Sequence, residues 1–182
     1  MKYIKEIAVK GKKFSVNIDE KKIEKSVKNL ADKINADYAD KEIFFIGILN
    51  GVFMFASDLL KNINVPCTIS FVKVASYEGT ASTGSIKELI GLNADISGKD
   101  IIIIEDIVDT GFTMKSILGQ LKQKNPKSIR IASLIFKPES FKEDFKVDYV
   151  GFNLPNDFII GYGLDYDGYG RNLKEIYTLV KE

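Results

Sequence analysis

Ile101-Ile102-Ile103-Ile104-Glu105-Asp106-Ile107-Val108-Asp109-Thr110-Gly111-Phe112-Thr113 is the stretch on which the reading of this chain turns. Four β-branched residues without alternation make a strand buried on both faces, as the strands of parallel α/β sheets are. Met114, Ile117, Leu118 and Leu121 then recur at helical spacing, so a helix begins at about Gly111 to Thr113. Strand, Gly-containing turn and helix together place a candidate active-site edge at the carboxyl end of the strand. Backbone N–H groups at the helix start, the hydroxyls of Thr110 and Thr113, and a glycine that permits close approach suit a phosphate monoester. Glu105, Asp106 and Asp109 would repel that phosphate if nothing else were bound. A sugar diol or a divalent cation resolves the conflict, because carboxylates accept hydrogen bonds from hydroxyls and hard cations bind carboxylate and phosphate oxygens. A phosphorylated ribose satisfies every part of the stretch.

The same plan recurs upstream. Ile43 to Leu49 reads as a buried strand, Asn50-Gly51 as a turn, and Phe53, Phe55, Ala56, Leu59 and Leu60 as a short helix, so two loops open on one sheet edge and can hold two ends of one ligand. Asp19 caps a helix from Glu20 to about Tyr38 with a stripe at Ile23, Val27, Leu30, Ala31 and Ile34. Residues 3–16 carry one or two edge strands. Cys67 to Val74 and Ser128 to Phe136 are further strands, Ile86 to Leu92 a returning hairpin strand, and Ile176 to Val180 a last strand. Residues 138–146 form a charged loop without a motif. Val147 to Phe152 and Phe158 to Tyr162 flank the turn at 154–157 and are assigned to a small lobe above the sheet edge.

Composition bounds the alternatives. The 182 residues suit one domain, and 45% hydrophobic with 28% charged residues gives no sign of disorder. A net charge of +1, from 26 basic and 25 acidic residues, supplies no broad attraction to nucleic acid or an anionic membrane. No run approaches the roughly 18 apolar residues of a membrane span, so a cytoplasmic protein is expected. Cys67 is the single cysteine and is read as a small buried residue at a strand start; the absence of histidine removes His-based triads and Cys/His zinc sites.

Ile104 to Thr113 resembles the phosphoribosyl-diphosphate signature of type I phosphoribosyltransferases. Gly47-Ile-Leu-Asn-Gly-Val-Phe-Met-Phe-Ala56, Ser76-Tyr77 with Ser82-Thr83-Gly84, and Val150-Gly-Phe through Gly161-Tyr-Gly-Leu-Asp-Tyr166 with Arg171 narrow the resemblance to the hypoxanthine (hypoxanthine-guanine) phosphoribosyltransferase family. The resemblance implies a single α/β domain over 1–182, with a mostly parallel central sheet flanked by helices. It also implies a hood built from parts of 1–18 and 147–182 and a lid at about 75–86. It implies transfer of a 5-phosphoribosyl group from 5-phosphoribosyl 1-diphosphate to a 6-oxopurine, with Mg2+ as cofactor and a homodimer or homotetramer as the assembly. By the same resemblance Thr110, Gly111, Phe112 and Thr113 hold the 5-phosphate, Glu105 and Asp106 the ribose hydroxyls, and Asp109 is the proton partner of the purine. Asn50, Gly51 and Arg171 take pyrophosphate, across a cis Leu49–Asn50 bond. Ser76 and Tyr77 close the lid, and Lys137, Phe158, Ile159 and Leu164 form the purine site. Glu105, Asp106 and Asp165 serve the metal. Relatives commonly carry lysine at the position of Asn50 and a basic residue at that of Phe112. A guanine- or xanthine-preferring relative and an RNA-binding regulator on the same fold are the alternatives, and the near-neutral charge speaks against the second.

Overall fold

A computed structural model describes residues 6–75 and 88–181 of the chain, so Ser76, Tyr77 and nearly all of the expected lid lie outside the described residues. Two strands, β1 (Glu6–Val9) and β2 (Lys12–Ile18), form a hairpin whose Lys10-Gly11 turn has positive φ at both residues, the two-residue geometry that matches strand twist. Helix α1 (Glu20–Asp37) begins where the Asp19 carboxylate accepts the Lys22 N–H at 2.9 Å, and its Ile23, Val27, Leu30, Ala31 and Ile34 are buried. Then follow β3 (Ile43–Leu49), α2 (Phe53–Leu60), β4 (Cys67–Ala75), β5 (Glu88–Ile90), β6 (Asp100–Val108), α3 (Phe112–Lys122), β7 (Ser128–Phe136), β8 (Tyr149–Asn153), β9 (Ile159–Ile160) and β10 (Ile176–Leu179).

The main sheet has six strands in the order β5-β4-β3-β6-β7-β8, all parallel except β5, which returns antiparallel on β4. From β3 the chain runs outward to β4, and from β6 it runs the other way through β7 to β8. The order therefore reverses between β3 and β6, and ligands of open α/β sheets bind outside the carboxyl ends of the strands at that point. The isoleucine run is buried on both faces, as expected: Ile102 and Ile104 join the core with α1 and α2, while Ile101 and Ile103 join Met114 and Ile117 of α3 on the other side. Burial of this kind contributes roughly 2 kcal/mol or more per branched aliphatic side chain, so the central strand is the part of the molecule least free to shift.

A second, antiparallel sheet in the order β1-β2-β10-β9 has its own small core of Phe14, Ile160 and Tyr177. Three local expectations need correction. Glu105 and Asp106 are strand residues, because β6 continues to Val108 and keeps Glu105 and Ile107 in register with Ser133 and Ile135. Tyr149–Asn153 is the edge strand of the main sheet and not part of the small lobe; it pairs with β7 from Ala132 to Phe136, and Tyr149 is anchored by its hydroxyl to Asp37 at 2.7 Å. Cys67 is exposed, since the apolar anchor of this approach to the sheet is Val65, two residues earlier. Among the described residues no helix is long and apolar enough to cross a membrane.

Candidate active site

Gly111 caps α3 in the left-handed region at φ 85°, and the first turn of α3 leaves backbone N–H groups without helical acceptors. The Phe112 N–H donates to Thr110 Oγ1 at a long 3.4 Å. Beside it a cavity of about 230 Å³ is lined by Glu105, Asp109, Thr110, Gly111 and Thr113 among others, which puts three of the four expected phosphate residues around one space; Phe112, 49% exposed, is not in its lining. Gly111 is required on two counts. Its φ suits glycine, and a Cβ there would lie 2.6 Å from the Phe141 ring and 2.9 Å from Glu143. Phe141 stands between Phe136 and Phe145 in edge-on contacts at 5.1 and 5.0 Å, and Glu143 is tied to Lys115 of α3 at 2.7 Å. The segment at 138–146, which carried no motif, thus backs the phosphate loop.

Glu105 and Asp106 are both buried at the head of the crevice. Burial, with the neighbouring Asp106 carboxylate second, pushes the Glu105 carboxyl well above its usual range. Among the described residues neither carboxylate has an ion-pair partner, and a divalent cation or the hydroxyls of a sugar would complement the pair. Among the described residues no group of three or more acidic, Cys or His side chains converges on a metal position. Asp165 is held elsewhere: Arg171 pairs with it at 2.6 Å and the Gly168 N–H donates to it at 2.7 Å. The expected trio of Glu105, Asp106 and Asp165 is therefore a pair plus a separate carboxylate. That donor set still fits Mg2+, which keeps several waters and takes only one or two carboxylates beside the oxygens of a phosphorylated ligand.

The second loop lies alongside. The Leu49–Asn50 peptide is cis. Gly51 is pressed between Asp106 and Gly163: a Cβ on Gly51 would come to 1.6 Å from Asp106 Oδ2, and one on Gly163 to 1.9 Å from the Gly51 carbonyl. Gly163, at φ 101°, donates its N–H to the Arg171 carbonyl at 2.9 Å and accepts from the Arg171 guanidinium at 2.7 Å. Asn50, Gly51 and Arg171, predicted to share one ligand end, are in this way joined through Gly163.

Across the crevice Lys137 is buried, although a lysine ending a strand is more often solvated, and its ammonium lies 3.2 Å from Asp109 Oδ2. Asp109 is about half exposed, with its side chain at 45%. Phe158 is 46% exposed, and its ring meets Tyr166 edge-on at 5.7 Å and tilts against Phe14 at 6.3 Å. It offers an exposed aromatic face, while Ile159, the next residue, and Leu164 are buried in the main core. A donor beside an acceptor, with an apolar shelf, suits a flat ring that carries polar atoms on one edge.

Sequence reasoning missed the residues that support these groups: Phe141, Glu143, Gly163, Tyr162 and Asp58. The two glycines flanking Tyr162 were the visible signal, and in the structure both have positive φ.

Comparison with known proteins follows the same lines. Residues 17–167 match the family described as the phosphoribosyl transferase domain. The hypoxanthine-guanine phosphoribosyltransferase of Aquifex aeolicus is 41% identical over 173 residues, covering 94% of this chain and 97% of that one. Its counterpart from Staphylococcus epidermidis is 43% identical, over 92% of this chain and 94% of that one. A crystal structure of a hypoxanthine-guanine phosphoribosyltransferase from Bacillus anthracis, with HEPES in its active site, superposes with a TM-score of 0.83 at 36% identity, covering 91% of this chain and 96% of that chain.

Proposed function

We propose, from the premise that this chain belongs to the hypoxanthine-guanine phosphoribosyltransferase family, that it transfers the 5-phosphoribosyl group of 5-phosphoribosyl 1-diphosphate to hypoxanthine and guanine, releasing pyrophosphate. The observation that carries the reading is the Lys137–Asp109 pair at 3.2 Å. In the 7-H tautomer of a 6-oxopurine the O6 acceptor and the N7–H donor are neighbours on one edge, so an ammonium and a carboxylate side by side match it. A buried ammonium donating to O6, next to a carboxylate at the imidazole nitrogen, reads that edge and disfavours adenine, whose amino group meets the ammonium poorly.

The donor lies along the switch-point crevice. Thr110, Gly111, Phe112 and Thr113 hold its 5-phosphate through helix-start amides and hydroxyls. Glu105 and Asp106 accept from the ribose hydroxyls, and Asn50, Gly51 and Arg171 face the pyrophosphate. Phe158 stacks on the purine, flanked by Ile159 and Leu164. Glu105 and Asp106, with Asp165 through its Arg171 pair, would hold Mg2+, which would supply the positive charge that offsets the pyrophosphate. The C1–oxygen bond to pyrophosphate breaks as N9 of the purine bonds to C1 on the opposite face. The imidazole proton passes to Asp109. Most of the catalysis is positioning and electrostatics, since no covalent enzyme intermediate is needed. Ser76 and Tyr77 are assigned to excluding water from the reacting centre. The protein acts in purine salvage as a soluble homodimer or homotetramer in the cytoplasm.

Steady-state rates with hypoxanthine, guanine, xanthine and adenine at saturating donor and Mg2+ test this reading. Turnover of the first two with little or none of adenine is expected; adenine as the preferred base would overturn it.

A further inference from the structure

The pyrophosphate side of the crevice is built from two elements distant in sequence, α2 with the loop before it and the 161–171 segment, and a part-buried side-chain hydrogen bond ties them together. Tyr162 is buried at 4% exposure, and its hydroxyl donates to Asp58 Oδ2 of α2 at 2.7 Å. Its ring packs in the main core with Val52, Phe55 and Leu59, and its own N–H is held by the Leu173 carbonyl at 2.8 Å. The next residue, Gly163, rests on the Gly51 carbonyl and is bonded on both sides to Arg171. Burial raises the Tyr162 hydroxyl well above its usual range, and the Asp58 hydrogen bond adds to this, so the donor stays protonated at any working pH. By contrast Phe158 and Ile159 on the purine side do not depend on this tie. The β9–β10 pairing and the Leu179 N–H donating to the Phe158 carbonyl at 2.9 Å fix Phe158 and Ile159 independently.

We propose that Tyr162 and Asp58 are positioning residues for pyrophosphate: their hydrogen bond sets Gly163 and Arg171 against the 50–51 loop, and so fixes the width of the pyrophosphate subsite without touching the ligand. The proposal rests on the assignment of Asn50, Gly51 and Arg171 to pyrophosphate. The bond is part-buried, with Tyr162 inside and the Asp58 side chain 40% exposed, and a hydroxyl held by a charged acceptor is strong enough to matter here. Its loss lets α2 and the 161–171 segment drift apart at the place where only glycines fit.

The reverse reaction separates the two sides, since pyrophosphate and the nucleotide are then independent substrates. In Tyr162→Phe and in Asp58→Ala the KM for pyrophosphate is expected to rise on the order of tenfold, with nucleotide KM and kcat changed less than about twofold. Asp58→Asn, which keeps an acceptor for the hydroxyl, restores the wild-type pyrophosphate KM. The Tyr162→Phe/Asp58→Ala double variant is no worse than either single one, because both remove the same bond. If Tyr162→Phe folds poorly, Asp58→Ala carries the test, as its exposed Lys61 partner contributes little. A lowered melting temperature with unchanged pyrophosphate KM, or an equal rise in both KM values, overturns the proposal. Arg171→Ala is the control: if it raises the pyrophosphate KM and Tyr162→Phe does not, the tie alone is wrong. If Arg171→Ala also leaves that KM unchanged, the subsite assignment falls, and the tie with it.

Discussion

The loop at 109–113 and the loop at 49–52 share one plan, a buried strand, a turn with glycine and a helix, yet they differ in what holds them. The first carries its own determinants: a left-handed Gly111, hydroxyls on either side, and a helix that starts beside a cavity. The second has almost no chemistry of its own. Asn50 is neutral, and Gly51 takes its place because Asp106 stands on one side and Gly163 on the other. A phosphate monoester can be gripped by one helix start, whereas in the proposed site a leaving pyrophosphate would be met by a composite of the loop after β3, β6 and the 161–171 segment. The difference is between a motif and an assembly, and substitutions tell the two apart.

The largest effect belongs to the first loop. Asp109→Asn is expected to slow the chemical step by about 10- to 1000-fold in single-turnover experiments, the range of a lost proton acceptor, with donor binding left intact. An unchanged single-turnover rate would remove Asp109 from its role. Next comes Gly51→Ala, whose new methyl would enter the space of the Asp106 carboxylate. Donor affinity measured by calorimetry with Mg2+ should weaken by roughly 100-fold, about 2.7 kcal/mol. Binding within a factor of about two of wild type would mean that the loop is not wedged as described. Lys137→Met should raise the purine KM by about 10- to 100-fold while leaving donor affinity alone, since a buried charge-assisted hydrogen bond is worth about 1.5–3 kcal/mol. A loss shared equally by both substrates would show that Lys137 supports the fold and does not read the base.

The smallest expected effect is one of stability in the protein free of metal. Glu105 holds its proton more tightly folded than unfolded, because burial and Asp106 raise its pKa. The native state then binds more protons than the unfolded one above the ordinary carboxylate range. Stability therefore falls as pH rises from that range toward the raised folded value, and is recovered at acid pH. Glu105→Gln removes this penalty. Its melting temperature should exceed wild type by a few degrees at neutral pH, with the gain shrinking on acidification. A gain that grew toward acid pH would reverse the sign and contradict the assignment.

How much of this was legible follows the same division. The isoleucine run, the helical stripe after Gly111 and the Asp19 cap depend on neighbours in sequence, and the structure has them where the pattern put them. The continuation of β6 through Glu105 and Asp106 was not legible, because acids usually end a strand; pairing with β7 on one side and the chemistry of the crevice on the other keep them in it. Tyr149–Asn153 misled for a related reason. A short apolar segment near a turn fits either sheet, and only the parallel register with β7 decides. Phe141 sits in a segment of charged residues, and nothing local marks it as the wall behind Gly111. The burial of Lys137 overrides what its residue type predicts at a strand end, which is where a functional site is expected to break a local rule.

The account depends most on residues 110–113 gripping a phosphate monoester at the start of α3. A crystal structure of the protein with 5-phosphoribosyl 1-diphosphate and Mg2+ tests it directly. The 5-phosphate should lie within hydrogen-bond distance of the backbone amides of residues 111–113, with the pyrophosphate against Gly51 and Arg171. A donor bound with its 5-phosphate away from those amides, or reversed so that pyrophosphate occupied them, would contradict the account.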